Sequence, residues 1–111
     1  MSSVRAAVVQ AEPAPSLREG LDRVSTLVRD AAAQGAALVA FPETWLPGYP
    51  IWLDVSRDVA LWDHAPVKAV FRRMAENSVE VSGDAARRLA DIAHENEVTL
   101  VIGVVEPHLS P

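Results

Sequence analysis

Two stretches of this chain are apolar with almost no alternation: A-A-L-V-A-F at 36–41 and V-T-L-V-I-G-V-V at 98–105. A strand with one face in water alternates polar and apolar residues. Runs of this kind suit strands covered on both faces, as in a parallel sheet. Each is bounded by strand breakers or polar residues: Gly35 and Pro42 around the first, Glu106 and Pro107 after the second. A third, shorter run, Val4 to Val9, precedes Gln10 and the loop prolines Pro13 and Pro15, and reads as the first strand.

Helix signals lie between the runs. Ser16 and Glu19 stand in the S-x-x-E relation of a capping box, in which each side chain satisfies the other's free backbone N–H. Leu17, Leu21, Val24, Val28 and Ala31 or Ala32 then recur at helical spacing, and Gly35 sits where a C-terminal cap belongs. A second helix is expected over about Val67 to Glu76. A third starts near Ser82 or Asp84 and runs to about Asn96, with Ala86, Leu89, Ala90 and Ala93 as its apolar positions and Ile92 beside them. Alternation of strands with helices predicts an α/β fold with a mainly parallel sheet and crossover helices.

Three strands covered on both faces need two covering layers, which three helices can hardly supply. The sequence also stops at Pro111, directly after a core strand. The expectation is that residues 1–111 are the N-terminal part of a larger α/β domain. Half the residues are apolar and 23% are charged, a balance that excludes an intrinsically disordered chain. No apolar run approaches the ~18 residues of a membrane span, and the N-terminus lacks the features of a signal peptide. A cytoplasmic protein with no membrane partner is expected. The net charge of −5 argues against nucleic acid, which selects a basic face. Cysteine is absent, so the chain has no disulfide, Cys-ligated zinc or thiol nucleophile of its own.

The chemistry concentrates after the second strand. All six aromatic residues, Phe41, Trp45, Tyr49, Trp52, Trp62 and Phe71, lie within residues 41–71, together with Pro42, Pro47, Pro50 and Pro66. In open α/β sheets ligands bind beyond the carboxyl ends of the strands. This stiff aromatic loop is therefore either one wall of a small-ligand pocket or a cover packed over the sheet edge. Glu43 leaves the strand at that point. A carboxylate held among Phe41, Trp45 and Leu46 would lose water, and desolvation favours its protonated form, as in a general base working near neutrality. The alternative is a Glu that swings into solvent or caps a following turn.

The run Phe41-Pro42-Glu43-Thr44-Trp45-Leu46-Pro47-Gly48-Tyr49-Pro50 closely resembles the segment around the catalytic glutamate of nitrilases, in the carbon–nitrogen hydrolase superfamily. The order of the remaining elements resembles the N-terminal part of a family member, and the P-G-Y-P tail followed by Trp52-Leu53-Asp54 looks more like true nitrilases than the amidase branches. The resemblance implies a four-layer α-β-β-α sandwich and a Glu–Lys–Cys triad. In it a cysteine thiolate attacks the nitrile carbon to give a thioimidate, and water then releases ammonia and a carboxylic acid through an acyl-enzyme. By position Glu43 is the catalytic base. Tyr49 matches a pocket-lining position, and Trp45 and Trp52 are further substrate-binding candidates. The implied partner is a small nitrile or amide substrate, with no metal or organic cofactor and a homo-oligomer in the full-length form.

The family's Lys and Cys match nothing here. Lys68 lies too close in sequence to Glu43 to be the family lysine and reads as a surface residue. An amidase-branch fragment, or a non-catalytic remnant serving only in assembly, are the competing readings. His64, His94 and His108 share no metal-ligand spacing. Asp54, Asp58 and Asp63 read as a solvated loop face, Arg72-Arg73 and Arg87-Arg88 as exposed helix positions. Gly83 and Gly103 form no dinucleotide-binding pattern.

Overall fold

The capping signal at Ser16 does open a helix. A computed structural model of the chain describes residues 2–48 and 63–107; there α1 spans Leu17–Ala33, and the Glu19 amide donates to Ser16 Oγ at 3.2 Å. The box is half-formed. Glu19 Oε1 accepts from the Ser16 hydroxyl at 3.4 Å rather than from its backbone. At the other end Gly35 adopts φ +90°, which costs a residue without Cβ little. Its N–H reaches Ala32 O at 2.9 Å, and the next N–H, of Ala36, reaches Ala31 O at 3.1 Å. These two bonds make a Schellman motif and end the helix beside the second strand.

The strands are β1 (Ala6–Val8), β2 (Leu38–Ala40) and β3 (Thr99–Val101), shorter than the apolar runs that contain them. They form a parallel sheet in the order β1-β2-β3. Laterally, Ala7 pairs with Val39 and Val39 with Leu100, while Val8 pairs with Ala40 and Ala40 with Val101. Single bonds prolong the ladder: Val9 N–H to Ala40 O and Phe41 N–H to Val101 O, both 2.8 Å. The two further helices are α2 (Ala65–Glu76) and α3 (Asp84–Glu95).

The pairing shows which face the three helices, expected to be too few for both, leave open. Side chains alternate along a strand, so Ala7, Val39 and Leu100 share one face and Val8, Ala40 and Val101 the other. The first face carries α1 and α3, which pack side by side, and Val39 there is fully buried. On the second face Val8 is 78% exposed and Val101 50% exposed. The reason is topological. Strand order advances in one direction, and right-handed crossovers then put both connecting helices on the same side. The runs are apolar for two faces, and the described residues cover one.

The core is built by Leu21, Val24 and Val28 of α1, Val39 of β2, Ile92 of α3, and Phe41, Trp45 and Leu46 just after β2. Burying each such side chain contributes about 1.5–3 kcal/mol. In α3 the inward residue is Ile92, with Leu89 packed against it, whereas Ala90 is exposed. Ala86 and Ala93 pack on the core as expected, and Ile92, larger than either, takes the deepest place. α2 contributes no buried residue. It is held by its end: Asn77 Oδ1 accepts from the Leu17 amide at 2.9 Å, and Arg73 Nη2 donates to Pro15 O at 3.2 Å. Arg88 is less exposed than its expected helix-surface position, because it reaches across from α3 to Asp22 of α1 at 2.6 Å. Lys68 pairs with Asp63, both side chains being largely in solvent. Among the described residues no helix is long and apolar enough to cross a membrane.

Candidate active site

Glu43 stands on an arch between β2 and the extension of β3. The chain is fastened at one foot, where the Phe41 amide bonds Val101 O at 2.8 Å. It is fastened again where Leu46 bridges to Val104: Leu46 N–H reaches Gly103 O at 3.3 Å, and Val105 N–H reaches Leu46 O at 2.8 Å. Between these feet the Glu43–Thr44 backbone lies close against Gly103. The β3 side is itself anchored, since the Val79 amide bonds Val105 O at 2.7 Å.

The reversal inside the arch occurs at Thr44, whose φ of +47° lies in the left-handed region. For a β-branched residue this is an unfavourable conformation, costing on the order of 1–3 kcal/mol. The Thr44 hydroxyl is also buried with no hydrogen-bond partner. What holds the turn against these costs is its underside. Trp45 is 2% and Leu46 1% exposed. The Trp45 indole N–H donates to Ala11 O at 2.9 Å, tying the arch to the segment after β1. Its ring lies 5.0 Å from Phe41, tilted by 58°, a favourable aromatic geometry.

Glu43 therefore emerges at the carboxyl edge of the sheet, where the strand-to-loop position places it. Among the described residues the shelter expected for it is not met, and the Glu43 side chain is exposed, as in the alternative of a Glu turned to solvent. Trp45 is the physical reason. Its ring turns down into the core under the arch instead of lying over the carboxylate. Trp45, one of the three pocket candidates, is 2% exposed and its indole N–H is bonded to Ala11 O, so within the described residues it serves as the prop of the arch. Tyr49 and Trp52, the other two pocket candidates, lie outside the described residues. So do Trp62, Pro50, Asp54, Asp58 and His108.

Two residues of the site escape notice in the sequence. Thr44 carries no signal, because its residue type disfavours the conformation it adopts. Gly103 does carry one: a glycine inside an apolar strand run marks a close backbone approach. A Cβ there would stand 2.3 Å from Thr44 N and 2.8 Å from Glu43 Cα.

Glu43 lines none of three grooves on the described surface. One, about 620 Å³, runs along β1 beside Arg5, Asp30 and Gln34. Another, about 280 Å³, opens beside Pro47 and Gly48 and is bounded by Val70, Arg73 and Met74. Among the described residues no three His, Cys, Asp or Glu side chains gather as a metal site would require.

Residues 5–108 match the carbon–nitrogen hydrolase family profile. An arylacetonitrilase of Aspergillus oryzae (strain ATCC 42149 / RIB 40) is 38% identical over 106 residues, covering 95% of this chain and 29% of that protein. An aliphatic nitrilase of Rhodococcus rhodochrous is 38% identical, covering 93% of this chain and 26% of its own length. A cyanide hydratase of Leptosphaeria maculans is 30% identical, with coverages of 96% and 28%. The chain thus spans under a third of the length of these relatives. With the family profile covering nearly all of its residues, the chain belongs to the carbon–nitrogen hydrolase family.

Proposed function

We propose that residues 1–111 form the glutamate-bearing part of a nitrilase-type hydrolase and that Glu43 is its general base. The observation that carries this reading is the arch. A carboxylate held at the carboxyl edge of a parallel sheet, on a turn fastened at both feet, is placed as ligand-handling groups in open α/β sheets are placed. The relatives' names, arylacetonitrilase, aliphatic nitrilase and cyanide hydratase, support a nitrile over an amide as substrate.

In this reading Glu43 takes the proton of a cysteine thiol, and the thiolate adds to the nitrile carbon. A lysine ammonium stabilises the charge that develops on nitrogen. Protonation and addition of water release ammonia. A second water cleaves the resulting thioester to the carboxylic acid and restores the thiol. This chain has no cysteine, and its Lys68 is paired with Asp63 on the surface, so thiol and lysine come from outside these residues and the chain alone has no turnover. The bare, apolar face of the sheet supports a four-layer α-β-β-α sandwich, in which a second sheet covers Val8 and Val101. Tyr49 and Trp52 are proposed to line the substrate pocket. A homo-oligomer and a cytoplasmic place of action belong to the same proposal.

The test is to join the chain to a C-terminal segment that supplies a lysine and a cysteine, and to assay ammonia release from nitriles. Glu43→Gln is expected to lower turnover by roughly 10²–10⁴-fold. Turnover within a few-fold of the parent would overturn the assignment. A second reading, an assembly piece without catalysis, is favoured by the same bare face together with the missing thiol. It requires that no joined form release ammonia.

A further inference from the structure

We propose that Gly103 is a positioning residue for Glu43: its lack of a side chain lets the end of β3 lie directly beneath the Glu43–Thr44 peptide, and this close contact sets where the carboxylate stands. The inference rests on the reading of Glu43 as base and adds the residue that fixes its place.

Three observations carry it. A Cβ on residue 103 would lie 2.3 Å from Thr44 N, 2.8 Å from Glu43 C and 2.8 Å from Glu43 Cα. All three are backbone atoms of the arch, so no rotamer change relieves the contact. The arch cannot yield as a body either. Its feet are bonded to Val101, Gly103 and Val105, and Trp45 is bonded to Ala11 beneath it. Finally, Thr44 already sits at φ +47°, so the turn has little conformational slack. Restoring ordinary contact with a methyl group at 103 requires the Glu43–Thr44 backbone to move by about 1 Å. A displacement of that size at a catalytic group can cost ~10²-fold in rate.

Gly20 provides a matched comparison. A Cβ there would lie 2.6 Å from Leu46 Cδ2, the far end of a flexible side chain. Gly20→Ala thus presses on the same arch without touching the Glu43 backbone.

The experiment is a double-mutant cycle in the joined enzyme, on Gly103→Ala and Glu43→Gln, with Gly20→Ala as control. Gly103→Ala is expected to lower kcat roughly 10²-fold with KM within a few-fold. It should add nothing in the Glu43→Gln background, because the carboxylate it misplaces is already gone. Gly20→Ala should leave kcat within a few-fold of the parent. A Gly103→Ala loss of equal size with and without the Glu43 carboxylate overturns the proposal, as does a parent-like kcat. Should Gly103→Ala fail to fold, adding Thr44→Gly is expected to restore its thermal transition by letting the turn back away; no restoration overturns the contact itself. A Glu43→Gln enzyme with parent turnover ends the base assignment, whereas a costly Glu43→Gln with an additive Gly103→Ala ends only the positioning role.

Discussion

Three valines of the sheet report which of its faces is covered. Val39 is fully buried under α1 and α3, while Val8 is 78% and Val101 50% exposed on the opposite face. Val→Thr is nearly isosteric and keeps a β-branched side chain suited to a strand, so it exchanges a methyl for a hydroxyl and little else. At Val39 the hydroxyl enters a site without water and with apolar neighbours. Leaving it unpaired there costs about 1–3 kcal/mol. At Val8 and Val101 the hydroxyl meets solvent, and the change is expected within about 0.5 kcal/mol of zero. Urea denaturation of the 111-residue chain, followed by circular dichroism, reads the difference as a shift in midpoint at constant slope. In the joined enzyme the proposed second sheet covers Val8 and Val101, and the same two substitutions should then cost about 1–3 kcal/mol each. A Val8→Thr chain destabilised as much as Val39→Thr would refute the bare face. Equal, near-zero effects of Val8→Thr in the short and joined forms would refute the sandwich.

Two further substitutions test the supports of the site. Trp45→Ala removes the prop of the arch and is expected to cost about 3–5 kcal/mol. Trp45→Phe keeps a ring against Phe41 but loses the bond to Ala11 O, whose carbonyl belongs to an exposed residue, and should cost about 1 kcal/mol; thermal melts that rank the two the other way would contradict the packing. Asn77→Ala removes the side-chain acceptor at the start of α1, a capping role worth about 0.5–2 kcal/mol. Hydrogen exchange should then show faster opening of the Leu17 amide, and unchanged protection would count against that bond.

Much of this fold was legible residue by residue. Ser16 and Gly35 mark the ends of α1 because capping is local chemistry, satisfied within a few residues of each helix end. The parallel order followed from apolar runs alternating with helix signals. That three helices could hardly cover both faces was legible; which face they leave open was not. An apolar run such as 98–105 records that both faces are made for burial, whereas which face is filled depends on the direction in which the chain crosses the sheet. The site was legible in position and not in orientation. Glu43 does stand at the strand exit, but the inward turn of Trp45 follows from the left-handed Thr44, a conformation its side chain gives no reason to expect. In α3 the expected Ala86, Leu89 and Ala93 do pack on the core; only Ala90 turns outward, and Ile92 lies deepest because burial favours the larger side chain.

The most direct test of Glu43 as base is the rate of the first chemical step. A single-turnover measurement of acylation by a nitrile, in the joined enzyme and its Glu43→Gln variant, isolates thiol activation from product release. A rate lowered by roughly 10²–10⁴-fold, with the thermal midpoint unchanged, is the expected result. An acylation rate within a few-fold of the parent would contradict it and leave the arch a structural turn.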